Sequence, residues 1–342
     1  MPLPNPIPKF DDLPCLPDGL KGSAWGIFDS SPTERDLYGT LNFLTPAVIA
    51  AAAAEVKDGI SISLNWPLNG IKFPFPHRKP PVHRPHTLAE LGMQGHEGWD
   101  DEIEFNTQFS SQWDGLCHVV QKDGSGRTYN GFVPTREKLD VSESSAEVPT
   151  VEHWHARGGI VGRGVLVDYK RYVEETKPGV VYHPLDGHRI TVDEIEAVAR
   201  YQGVQFREGD ILIVRTGYTD MLAAPTAADF EKFQKATLSG VHGAEETARW
   251  IWDHRIAAVA GDAHGFEALP PVREDGSVGE IHELVLHRYF LNGFGMPIGE
   301  LWDLKALGEH CKKTGRYSFL LTSAPLNHPG LVASPPNALA IF

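Results

Sequence analysis

The chain has 342 residues, 41% of them apolar and 22% charged. That composition suits a folded protein with enough chain to bury a large core. Its 31 Lys and Arg stand against 45 Asp and Glu, a net charge of −14. With no basic stripe in view, nucleic acid and an anionic membrane surface are poor partners, and a small molecule is the expected ligand. The three cysteines, Cys15, Cys117 and Cys311, are far apart and show no paired spacing, which argues against a disulfide framework or a zinc knuckle. No signal-peptide pattern opens the sequence, and the apolar run Pro46 to Ala54 is too short to span a bilayer. A cytoplasmic protein is expected.

Residues 1–40 are rich in Pro and Gly and read as an N-terminal arm, draped on the body or on a neighbouring subunit. Thr45-Pro46 opens a helix, with Thr as N-cap and Pro in the first turn, and Gly59 stops it. Ile60 to Leu64 alternates with period two and predicts a strand. Residues 65–100 hold six prolines and four histidines with no surviving periodicity. A loop of that length inside a folded domain is usually functional, and a lid is expected. Glu102 to Gln112 alternates again, as a second, longer strand. Further strands are expected at Gly164–Asp168, Asp210–Thr216, Ala257–Gly261, Met296–Trp302 and Tyr317–Ser323. The capping box Thr191-Val-Asp-Glu194 opens a helix to Gln202. Two more helices follow, at Gly243–His254 and Ile281–Leu291. Some strands sit in pairs with no helix between them. The prediction is an α/β fold with a mixed sheet, one domain over residues 41–330, and a C-terminal tail over 331–342.

The segment Gln108-Phe-Ser-Ser-Gln-Trp-Asp-Gly-Leu-Cys-His118 carries the chemistry. In an extended chain, side chains two apart share a face. Gln108, Ser110, Gln112, Asp114 and His118 therefore share one polar face, and Phe109 and Trp113 begin the other. A solvated edge strand and a functional site both fit this alternation.

The segment resembles the signature of the cyclase-like metal hydrolases, the group that holds bacterial kynurenine formamidases and isatin hydrolases. Their pattern, His-x-Gly-Thr-His-x-Asp-x-Pro-x-His, falls here on Gln108, Ser110, Ser111, Gln112, Asp114, Leu116 and His118. Gly39 to Thr45 is similar to the family's entry segment, and Ala260-Gly-Asp262 to a strand end that supports the site. His287 to Glu300, ending in Pro297-Ile-Gly-Glu-Leu301, resembles its late His and Glu pair. The likeness covers most of residues 36–325 and is nearest to a longer subgroup carrying Gln-Trp-Asp-Gly-Leu.

The resemblance implies a swivelling β/β/α fold and a hydrolase of a small amide, formamide or lactone, arylformamidase-like. It implies Asp114, His287 and Glu300 as metal ligands and His118 as proton shuttle, with Asp114 ligating the ion or orienting His118. Gln108 and Gln112 stand where the family has ligating imidazoles. A glutamine offers a neutral amide oxygen, which suits harder ions and binds more weakly. One divalent ion, Mn, Zn or Mg, with Gln108 and Gln112 as auxiliary ligands, is one expectation. A metal-free site, with the two amides aimed at a substrate carbonyl, is the other. The metal-free alternative predicts a lyase, isomerase or cyclase using Asp114 and His118 as acid and base. A third reading is a non-catalytic small-molecule binder. The family habit implies a homodimer or homotetramer.

Trp66, Trp113 and His264 are candidate substrate contacts beside Gln108 and Gln112, and Trp99 a lesser one. Glu267 is a candidate extra acid, and Asp262 a residue that orients a neighbour. His282 lies five residues before His287, about 140° around one helix, so only one of them faces the site, and His287 is preferred. His77, His83, His86 and His96 are expected in solvent, His153-Trp-His155 in a surface turn, and His242 at a helix cap. Ser110 and Ser111 lack a nucleophile elbow, and Cys117 faces away from His118.

Overall fold

A computed structural model of the chain describes residues 6–71, 78–273 and 275–342. Thirteen strands form among the described residues. The first seven are β1 (Ser61–Ser63), β2 (Val82–Thr87), β3 (Trp99–Glu104), β4 (Gln112–Asp114), β5 (Ile160–Asp168), β6 (Arg189–Ile190) and β7 (Ile211–Arg215). The rest are β8 (Gly240–Val241), β9 (Ala258–Gly261), β10 (Ile298–Glu300), β11 (Ser318–Ser323), β12 (Ala333–Ser334) and β13 (Ala338–Ile341). Nine of them make one mixed sheet in the order β1-β13-β11-β5-β7-β9-β10-β4-β12. The centre, β5, β7, β9 and β10, is parallel, and the flanking pairs are antiparallel. The central strands are buried on both faces, as the apolar runs Ile211-Leu-Ile-Val214 and Ala258-Val-Ala260 require.

Local signals set the helices. Thr45 Oγ1 accepts the Val48 N–H at 3.3 Å and starts helix Pro46–Ala53. At Thr191 both halves of the capping box are made, and helix Val192–Gln202 ends on Gly203 at φ 66°. The N-terminal segment straps onto its own domain: Phe10 N–H donates to Asp253 Oδ1 at 2.9 Å, and Trp252 Nε1 donates to Pro8 O at 3.0 Å. No helix among the described residues is long and apolar enough to cross a membrane.

Four expectations need correction. The strand placed at Glu102–Gln112 is two separate pieces, β3 and β4. Asn106 breaks it: its side chain accepts the Gln108 N–H at 2.9 Å and its carbonyl accepts the Phe109 N–H at 3.0 Å, a turn that a strand cannot continue through. The stretch 65–100 is not a structureless lid, because β2 and β3 pair as an exposed antiparallel hairpin. Residues 331–342 are not a tail, since β12 and β13 belong to the main sheet. The helix placed at Ile281–Leu291 is interrupted at Leu284, whose ψ of 124° is extended. The chain restarts at Val285–His287 and passes into a widened helical segment, Arg288–Phe294.

Trp113 is likewise not a pocket wall. It is fully buried, directly opposite Gly299 in the β4–β10 pairing, and stacks edge-on against Trp302 with centroids 4.9 Å apart. Its Nε1–H donates to Ser323 Oγ at 2.9 Å. Gly299 is obligatory there, because an added Cβ would lie 2.9 Å from the Trp302 ring and 2.6 Å from Ala260 Cβ. Trp113→Ala should lower unfolding stability by about 3–5 kcal/mol in urea titrations, the cost of emptying a large aromatic site in a core.

Candidate active site

The β4–β10 pairing builds the floor of the site. Gln112 is the direct partner of Glu300, and Asp114 of Ile298. Residues two apart on a strand share a face, so Gln112, Asp114 and Glu300 project together. The expected alternation therefore holds over 112–114 and no further. After Asp114 the chain turns. Gly115 donates its N–H to Val332 O at 2.9 Å, too close for any side chain, since a Cβ would lie 2.6 Å from that oxygen. His118 N–H then closes the turn on Gly115 O at 2.9 Å, leaving the half-buried imidazole beside Gln108.

His287 arrives from the opposite side, held by Glu267. One carboxylate oxygen of Glu267 accepts the N–H groups of Val285 and Leu286 at 2.9 and 3.1 Å. The other accepts the His287 N–H at 3.0 Å and pairs with His287 Nδ1 at 2.9 Å. This carboxylate caps the chain at 285–287, which is why the expected helix cannot run through Leu284. It also fixes the ring: Nδ1 donates to Glu267, and Nε2 faces Glu300 Oε1 at 3.3 Å. The break at Leu284 lets His282 join His287 on the wall of one cavity, contrary to the reading from an unbroken helix.

Asp114, His287 and Glu300, all buried, bring one donor atom each within 4.8 Å of one another. The expected ligand set is thereby brought together, except for the two glutamines. Gln108 Nε2 donates to Asp114 Oδ1 at 2.7 Å. Gln112 Nε2 donates to Asp114 Oδ1 at 3.1 Å and to Glu300 Oε2 at 2.8 Å, while its Oε1 faces the Arg78 guanidinium at 3.4 Å. The amides thus spend their N–H groups on the carboxylates, and Gln112 turns its oxygen to Arg78. Gln112, its oxygen on Arg78, is not placed as an auxiliary metal ligand.

Charge follows burial. Burial pushes the Asp114 carboxyl above its ordinary range, aided by Glu300 nearby, against His118 and His287. Burial acts the same way on Glu300, but the His287 hydrogen bond and the nearby His264, His287 and Arg78 side chains outweigh it and hold Glu300 at about 2. Burial alone would lower His287. Hydrogen bonds to Glu267 and Glu300 reverse this and raise it to about 10. Burial, aided by Arg78, His287 and His118 nearby, outweighs the pull of Glu300 on His264 and pushes it down to about 4, neutral near pH 7.

These residues open on a cavity of about 590 Å³, whose walls include Asp114, His118, His264, His287, Glu300 and Arg78. His264 keeps its expected place there. Trp66 is buried in a small apolar cluster with Ile71 and Phe109, off the cavity wall. Trp99 lies on the exposed hairpin. Ser110 and Ser111 hold backbone carbonyls of Pro67 and Leu301. Asp262 orients the 216–218 turn, accepting from Thr216, Gly217 and Tyr218. His153 is not in a surface turn: it is buried in helix Glu152–Ala156 and donates to Ser145 O and Val148 O, both at 3.1 Å. His77 lies outside the described residues. Sequence reasoning missed Arg78, which sits in an aperiodic proline-rich stretch, and named Glu267 without its anchoring role.

Comparison with known proteins agrees with this geometry. The "Putative cyclase" family model matches residues 60–268. A crystal structure described as a novel cyclase is 31% identical, with a TM-score of 0.77 over 94% of this chain and 100% of its own. The chain therefore belongs to the cyclase family, and its sheet has that family's fold. Isatin hydrolase A from Ralstonia solanacearum shares the fold at 14% identity and a TM-score of 0.54, over 87% of this chain and 98% of its own. Isatin hydrolase A from Labrenzia aggregata, bound to benzyl benzoate, does so at 16% and 0.52, over 88% and 98%. A search of curated proteins finds no significant match.

The raised His287 makes a signed prediction for the metal-free protein. Its ion pairs stabilise the fold fully below the ordinary value of 6.5 and are lost as pH rises through about 10. With chelator present, the urea midpoint should fall across that window, and His287→Ala should abolish most of the fall.

Proposed function

We propose that this chain hydrolyses an acyl bond to nitrogen or oxygen in a small amide, formamide or lactone, assisted by one divalent cation. The observation that carries the reading is the convergence of Asp114, His287 and Glu300 on the floor of a cavity that His118 also lines. The fold shared with the isatin hydrolases supports the reaction class.

The donors fit an ion. Two carboxylates and one imidazole, the latter fixed by Glu267, form a carboxylate–histidine arrangement of the kind that orients metal ligands. Two oxygen ligands to one nitrogen is a harder set than structural zinc takes, and favours Mn²⁺ or Mg²⁺. When bound, such an ion supplies Lewis acidity toward a carbonyl and lowers the pKa of water. The protein does the rest. Gln108 and Gln112 fix the two carboxylates. His118, with a ring nitrogen 3.2 Å from Gln108 Nε2, takes the proton from the attacking water and returns it to the leaving nitrogen or oxygen. His264, neutral at pH 7, contributes a polar wall without adding charge.

One observation favours a second reading. Gln112 bridges Asp114 Oδ1 and Glu300 Oε2 through a single amide nitrogen, tying the two carboxylates together by hydrogen bonds. A metal-free acid–base catalyst built on Asp114 and His118 follows from that arrangement.

A panel of isatin, formanilide and simple lactones, assayed before and after chelation, separates the two. The hydrolase reading expects turnover that chelator abolishes and Mn²⁺ or Mg²⁺ restores; turnover indifferent to chelator decides for the second. His118→Ala should lower kcat by about 10²–10⁴-fold with the circular dichroism unchanged. Glu267→Gln should weaken metal binding by about 10–100-fold, read by calorimetry.

A further inference from the structure

Arg78 lines the cavity beside its floor, and hydrogen bonds fix where it stands. Its Nη1 donates to Gln108 O at 2.5 Å and to Gln112 Oε1 at 3.4 Å. The same two glutamines hold the rest of the site. Gln108 Nε2 donates to Asp114 Oδ1 at 2.7 Å and lies 3.2 Å from a ring nitrogen of His118. Gln112 Nε2 donates to Glu300 Oε2 at 2.8 Å. The guanidinium is therefore one residue away from His118 and one amide group away from Glu300. The Asn106 turn prepares this approach. It ends the strand pairing before residue 108, which leaves the Gln108 carbonyl to the arginine.

Both acceptors on Arg78 are neutral. Other arginines of the chain are neutralised directly. Arg288, on the same cavity, pairs with Asp18 at 2.6 Å, and the buried Arg163 and Arg215 pair with Asp210 and Asp168, each at 2.9 Å. At Arg78 the Gln112 amide is interposed, its N–H toward Glu300 and its oxygen toward the guanidinium. A direct fork between Arg78 and Glu300 would spend both groups on each other. Kept apart, the guanidinium retains its charge. Of its five N–H donors, those on Nη1 are engaged, and those on Nε and Nη2 meet no acceptor among the described residues. Its charge acts on Glu300 and His264, two residues of the same cavity wall.

We infer that Arg78 is a further catalytic residue, whose remaining N–H groups receive the carbonyl oxygen of the substrate and hold the negative charge that develops on it. This rests on the hydrolase reading and names the group that takes the acyl oxygen. As water adds, its oxygen bonds to the acyl carbon and one of its protons passes to His118. The π electron pair of the carbonyl moves onto the oxygen that faces Arg78. When the carbonyl re-forms, the bond to the leaving nitrogen or oxygen breaks, and His118 returns the proton to it. A cation held in place beforehand needs no reorganisation as that charge appears. A neutral amide or lactone suits such a site, because the negative charge arises only during reaction.

The kinetic arm compares Arg78→Ala and Arg78→Lys with the wild type on the isatin, formanilide and lactone panel. Arg78→Ala should lower kcat by about 10²–10³-fold with KM little changed and the circular dichroism unaltered, and Arg78→Lys should fall between. An unchanged kcat, or a loss carried by KM alone, overturns the inference. A binding arm needs no turnover. Phenylphosphinate, tetrahedral and anionic at its oxygens, and benzamide, planar and neutral, are titrated calorimetrically into the full-length protein at saturating Mn²⁺. Arg78→Ala should weaken phosphinate binding by about 10²-fold and leave benzamide nearly as it was. Equal losses for the two probes, or none for the phosphinate, overturn the inference. Absence of turnover by the wild type, with the phosphinate-selective loss intact, sinks the hydrolase reading alone.

Discussion

Three buried carboxylates around one imidazole are the constraint from which the site follows. Asp114, Glu267 and Glu300 are each at most 3% exposed, and His287 is 6% exposed. Burying that much negative charge is prohibitive unless every oxygen finds a donor or a cation. The fold supplies donors by name to both oxygens of Glu267 and Glu300 and to Oδ1 of Asp114. Glu267 receives three backbone N–H groups and His287 Nδ1. Glu300 receives His287 Nε2 and Gln112, and Asp114 receives Gln108 and Gln112. Residues that a ligand list would pass over, the two glutamines and Glu267, are what make the ligand list tolerable. The elevated His287 is the same statement in protonic form: the cluster asks for positive charge, and a proton or a divalent ion can provide it.

The sheet explains why this cluster forms where it does. Ligands in α/β proteins sit outside the carboxyl ends of parallel strands, where the strand order changes direction. Here the parallel run β5-β7-β9-β10 meets the antiparallel β4. Glu300 is the last residue of β10, and His264 lies just past the end of β9. The β4–β10 pairing fixes Gln112 opposite Glu300 on one face, while Trp113 and Gly299 lock the other face into the core. Because the two faces of so short a strand are tied together, repacking around Trp113 would move the site as well.

What could be read in advance divides along physical lines. The central strands and the Thr45 and Thr191 helix starts were legible because local signals, apolar runs and capping residues, decide them. Asp114, His287 and Glu300 were legible as a set only through order and spacing against a family pattern; nothing local says that residues 114 and 300 share a face. The alternation over 102–112 misled, since a single asparagine turn at Asn106 outweighs period two. The helix at 281–291 misled because a long-range contact, Glu267 on the N–H groups of 285–287, overrides the helical period. Arg78 and the terminal strands β12 and β13 were opaque for a related reason. Their positions are set by partners distant in sequence, in stretches where proline erases any pattern.

The glutamines at 108 and 112 then acquire a meaning that residue type alone did not give. An imidazole at either place would offer a lone pair to an ion and would titrate. An amide does neither when its N–H groups face carboxylates, as Gln112 demonstrates with Arg78 on its oxygen. The exchange removes nitrogen ligands, which tilts the site from zinc toward oxygen-preferring ions. It also removes titratable groups, so the protonic behaviour of the floor narrows to His287 and the carboxylates it serves. A site of this kind is held in shape by hydrogen bonds before any ion enters. That pre-formed shape is what holds Asp114 and Glu300 converged at the same spot.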